Sequence, residues 1–68
     1  MKQVSGKELA RVVEQHGWQL LRVTGSHYIY GHPDSIIRLS IPVHVNRPLK
    51  LGLLKHLLKL AGLTEQDV

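Results

Sequence analysis

The stretch TGSHYIYGHPDSIIRLSI, Thr24 to Ile41, decides how this chain folds. Its second half, SIIRLSI (Ser35 to Ile41), alternates Ile37, Leu39 and Ile41 against Arg38 and Ser40. That is the period-two pattern of a strand with one dry and one wetter face. Its first half, HYIYGH (His27 to His32), is rich in β-favouring side chains, and Pro33-Asp34 between the halves is turn chemistry. Strands joined by so short a turn pair antiparallel. Within His27 to His32, His27 has the parity of Ile29, while Tyr28, Tyr30 and His32 point the other way. The strand by itself leaves open which of those faces is buried.

Outward from this hairpin, Thr24-Gly25-Ser26 suits a second tight turn, and WQLLRV (Trp18 to Val23) supplies a third β-rich run. Before it, SGKELARVVEQHG has Ser5 and Glu8 at capping-box spacing, Leu9, Val12, Val13 and His16 along one helical face, and Gly17 as a stop. After the hairpin, Pro42 stops the strand and VHVNRP (Val43 to Pro48) reads as a loop. LKLGLLKHLLKLAG then reads as a helix ending at Gly62. Its six leucines from Leu51 to Leu60 cover a wide arc, and Lys55, His56 and Lys59 lie opposite. In the tail LTEQDV, Thr64 and Asp67 offer a cap. The reading is an α+β fold in α-β-β-β-α order, a three-stranded antiparallel sheet with two helices packed on one face and the other face open. Double-stranded-RNA-binding domains share that order, which does not by itself transfer function.

Sixty-eight residues without repeats or linkers make one domain, 1–68, near the size at which a single core is barely sufficient. A deep pocket enclosing a cofactor is not expected. With no cysteine, disulfides and thiolate chemistry are excluded. No apolar run is long enough to span a membrane, and Lys7, Glu8 and Arg11 interrupt the N-terminal region, so the expectation is a soluble, cytoplasmic protein. Nine Lys and Arg against five Asp and Glu give a formal charge of +4, which suits a polyanion or an acidic protein partner without choosing between them.

The chemistry-bearing residues are mostly histidines. His27 opens a strand just after a flexible turn, where a side chain is held firmly yet meets solvent; it is either an acid-base group or a polar strand end. His44 lies in the loop after the third strand. His16 falls in the apolar stripe at a helix end, His32 precedes a turn proline, and His56 sits between lysines on a solvated helix face. No two histidines have the i, i+4 spacing of a helical metal site, and His27 and His32 are five apart in one strand, so no metal is expected. Tyr28 and Tyr30 share a face that either stacks bases or fills the core. Arg22 and Arg38 are candidate phosphate clamps borne on strands, with Arg47 and Lys50 beside the loop and helix start.

Taken together, HGWQLLRVTGSHYIYGHP, then IPVH, then LKLGLLKHLLKLAGL resembles the HicA family of toxin ribonucleases, over roughly Gly6 to Leu63. The shared pattern is a Gly-Trp after the first helix, an Arg, a Gly-Ser-His, a Pro-x-His, and a Gly-x-Leu opening the last helix. The resemblance implies a double-stranded-RNA-binding-like fold, cofactor-free and metal-independent cleavage of mRNA, and inhibition by a HicB-type antitoxin. It places the catalytic histidine at His27. Beside it, Gly25 allows close backbone approach, Ser26 orients the imidazole or binds phosphate, and His44 is the candidate second acid-base group. Three positions depart from the family: Thr24 stands where a basic residue is frequent, Tyr28 replaces a frequent histidine, and Gly31 replaces a frequent basic residue. Thr24 and Gly31 keep one alternative in play, a catalytically weak or inactive RNA-binding module of the same fold; the basic surface keeps another, a purely protein-interaction domain with an acidic partner.

Overall fold

The structure is a computed structural model that describes residues 3–44 and 47–68. Its elements are α1 (Gly6–Gln15), β1 (Gln19–Thr24), β2 (His27–His32), β3 (Ser35–Pro42) and α2 (Leu51–Ala61), followed by a 3₁₀ turn at Glu65–Asp67. The expected α-β-β-β-α order is therefore observed, with an antiparallel sheet in the order β1-β2-β3.

The register of β2 against β3 settles which face is dry. Tyr28 pairs with Ile41 and Tyr30 with Leu39, so the tyrosines share the face of the apolar alternation in β3. Leu39 and Ile41 are fully buried, as is Tyr30 at 1% exposure. Both helices cover this face: Leu9, Ala10 and Val13 of α1 and Leu54, Leu57 and Leu58 of α2 close the core over Tyr30, Leu39 and Ile41, with Val4 and Trp18 at its margins. The Tyr30 hydroxyl donates to Glu14 Oε2 at 2.6 Å, which satisfies the one polar atom this ring carries into the core. Two register shifts interrupt the sheet, between Leu20 and Arg22 in β1 and between Gly31 and His32 at the end of β2.

The helix ends follow the local chemistry. Ser5 Oγ accepts the Glu8 backbone N–H at 3.1 Å, and Glu8 Oε1 accepts the Ser5 N–H at 3.4 Å, completing the capping box. Thr64 and Asp67 repeat the device on the 3₁₀ turn. His16, expected on the buried stripe of α1, is exposed instead. The helix ends at Gln15 and His16 takes φ −103°, ψ 18°, outside helical geometry, so the phase that links Leu9 to position 16 no longer holds. Its Nδ1 lies 2.9 Å from the Val12 carbonyl and serves the helix end.

Three contacts hold the lead into α1 against the lead into α2 and the end of β3. The Leu49 N–H donates to the Val4 carbonyl at 2.7 Å, and Ser5 bridges Pro48, so the lead into α1 and the lead into α2 lie side by side. Gly6, the first residue of α1, is pressed against Pro42: a Cβ there would overlap the Pro42 carbonyl oxygen. Among the described residues, no helix is long and apolar enough to cross a membrane.

Candidate active site

His27 is the first residue of β2 and is exposed. The Thr24 to Ser26 turn before it is made possible by Gly25, whose φ of +59° lies in the left-handed region that a side chain disfavours. Across the sheet, His27 pairs with Thr24 on one side and Pro42 on the other. The Val43 N–H continues that pairing by donating to the Ser26 carbonyl at 2.7 Å. The imidazole thus stands on a backbone fixed from both flanks. Ser26, half-buried, sits at the end of the turn directly before His27.

The face opposite the helices carries two arginines beside His27. His27, Ile29 and Gly31 alternate along it; Arg22 is the cross-strand partner of Ile29, and Arg38 that of Gly31. Arg22, Arg38 and His27 therefore share one open surface, each exposed. Tyr28 is on the other side, half-buried and packed against the core, away from His27. Gly31 makes room on the open face: a Cβ there would stand 2.8 Å from Leu21 Cδ1 and 3.3 Å from Arg38 Nη1. The Arg38 guanidinium lies over the glycine that stands where the family pattern favours a basic residue. Single-position reading misses this, because the charge arrives from the neighbouring strand.

His44, Arg47 and Lys50 lie beyond the end of β3, where the Arg47 N–H donates to the His44 carbonyl at 3.3 Å. His44 lines an open cleft of about 450 Å³ together with Ser5, Lys7, Glu8, Val43 and Pro48. Lys7 is the cation of that cleft, and nothing in its sequence neighbourhood pointed to it; only the packing of Gly6 on Pro42 brings it there. His32 is structural: its ring meets Trp18 edge-on at 5.2 Å, and its Nδ1 accepts the Asp34 N–H at 3.0 Å. His56 is exposed with Lys55 and Lys59 on α2. Among the described residues, no three His, Asp or Glu side chains are grouped as a metal would require.

The sequence model describing the HicA toxin of bacterial toxin-antitoxin systems matches residues 6–63. The chain belongs to the HicA toxin family. The match runs from the first residue of α1 past the end of α2, so every element that frames His27 lies within it. Membership makes this HicA-family chain the toxin of a toxin-antitoxin system, and such a toxin has an antitoxin for a partner. No curated relative matches it.

Proposed function

We propose that this chain is an mRNA-cleaving toxin that uses His27 as an acid or base, without a metal, and is neutralised by a HicB-type antitoxin. The observation that carries the reading is the placement of His27 at a rigid strand start on the same open face as Arg22 and Arg38. RNA brings its own nucleophile. A base takes the proton of the 2′-hydroxyl as its oxygen bonds to phosphorus; the bond to the 5′-oxygen breaks, and an acid returns a proton to that oxygen. The products are a 2′,3′-cyclic phosphate and a 5′-hydroxyl. His27 takes one of the two proton roles, and His44, next to Val43 whose N–H pairs with the Ser26 carbonyl, is the candidate for the other. Arg22 and Arg38 hold the phosphates and offset the developing charge, with Arg47 and Lys50 extending the basic track.

Thr24 and Gly31 favour a second reading, RNA binding without turnover, since both lack the charge frequent in the family. The guanidinium of Arg38 over Gly31 weighs against it. The deciding experiment incubates end-labelled mRNA with the protein in excess EDTA, beside a His27→Ala variant whose fold is verified by circular dichroism. Cleavage by the parent and at least a hundredfold less by the variant is expected, in line with the usual contribution of ~10²–10⁴ from a positioned acid-base group. Equal cleavage by both would remove His27 from the chemistry, and binding without cleavage by either would leave the second reading. A 2′-deoxy substitution at the scissile position should stop the reaction.

A further inference from the structure

β1 is anomalous for a strand in so small a protein. It forms one edge of the sheet, and all six of its residues are exposed. Three of them are large and apolar: Leu20 is 45% exposed, Leu21 52% and Val23 52%. Leu20 and Val23 pair with Tyr30 and Tyr28 and so lie on the helix side of the sheet, yet the core that buries Tyr30 leaves them at the surface. The helices bury Tyr30, Leu39 and Ile41 of β2 and β3 and leave the side chains of β1 exposed. A strand edge with unpaired backbone groups and an apolar flank is a template for another strand, and proteins ordinarily blunt such edges with lysine or proline. Here the only charge is Arg22, which points to the open face.

We propose that β1 is where the antitoxin docks, by adding an extended strand to this edge. This rests on the family assignment, which requires a protein partner, and it specifies the surface. The added strand places apolar side chains beside Leu20 and Val23 on the helix side and an acidic one beside Arg22 on the open side. The occupant is an acidic protein and not a second copy, because two copies bring together the same net charge of +4, whereas an acidic chain neutralises it. Main-chain hydrogen bonds supply affinity and the two flanks supply selectivity. Thr24, the last residue of β1, is the cross-strand partner of His27, so the added strand runs along the far side of β1, one strand removed from the imidazole. Inhibition then comes from occupying the Arg22 side of the RNA surface, with no need for a plug over His27 itself.

The test uses the full chain and a purified HicB-type antitoxin protein as the probe. Leu20→Asp with Val23→Asp should weaken binding at least tenfold and leave RNA cleavage unchanged. Ile36→Asp and Leu51→Asp, at apolar positions exposed elsewhere (96% and 51%), should bind as the parent does. Hydrogen exchange should show Gln19–Thr24 amides protected in the complex. Unchanged binding by the folded β1 variant, or protection confined to another surface, would overturn the docking edge while leaving the toxin assignment intact. A β1-paired dimer of the toxin alone would overturn it by naming a different occupant. A parent chain that neither cleaves RNA nor binds the probe would remove the functional reading, and the docking edge with it.

Discussion

Tyr30 carries a phenol into the centre of the core and anchors it on Glu14, and both circumstances act on its acidity. Burial first, and the Glu14 hydrogen bond and charge second, push its pKa well above the ordinary value. The folded state therefore holds the proton more tightly than the unfolded chain does. The stability this gives is fully present below the unfolded value, ~10, and is lost as pH rises beyond it, because the unfolded tyrosine then ionises and the folded one does not. Tyr30→Phe is expected to cost about 1 kcal/mol at pH 7 through the lost hydrogen bond. The gap to the parent should close and then reverse above about pH 10. Urea denaturation of both proteins at the two pH values measures it, and a gap independent of pH would contradict the assignment. This residue also marks a limit of reading by parity. β2 puts His27 and Ile29 on one side and Tyr28 and Tyr30 on the other, which is balanced chemistry, and only the pairing with Leu39 and Ile41 breaks the tie.

At the scale of elements, the two long helices are finished unequally. α1 has its capping box, whereas α2 starts at Lys50 with extended backbone and no side-chain cap, although it ends well on Gly62 at φ +73°. Lys50→Ser supplies the missing acceptor and is expected to stabilise the protein by about 1 kcal/mol. That is roughly 4–8 °C in Tm for a domain of this size. If Lys50 contacts RNA as proposed, the same variant binds RNA more weakly, so a melting curve and a binding isotherm should move in opposite senses. Unmoved melting would mean that the helix start finds its partners elsewhere. The helices and the span of β2 were legible because caps, stops and periodicity are local. The bulge at Leu21 was not, since QLLRVT offers no alternation to interrupt, and with it went the knowledge that Leu20 and Val23 share a face. Lys7 was hidden for a related reason: the cleft it lines with His44 is made by packing between parts of the chain far apart in sequence.

For the whole molecule, the arrangement divides labour between two sheet faces and one edge. The helix face holds the fold, the open face presents His27 beside two arginines, and β1 has one edge left unpaired. If the open face binds RNA as proposed, affinity falls with salt, with a log–log slope of about 0.7 for each phosphate neutralised on a single strand. Arg22→Ala and Arg38→Ala should each flatten the slope by about that amount. A slope unaltered in the double variant would move the RNA to another surface. The clasp between Val4 and Leu49 has a consequence in time as well as in space. A ribosome makes the chain from its N-terminus, so α1 and the whole of the β-meander precede Leu49, whose amide secures the approach to α1. That clasp is thus closed late in synthesis, and a chain released before Pro48 lacks the contacts that hold the approach to α1 against the approach to α2.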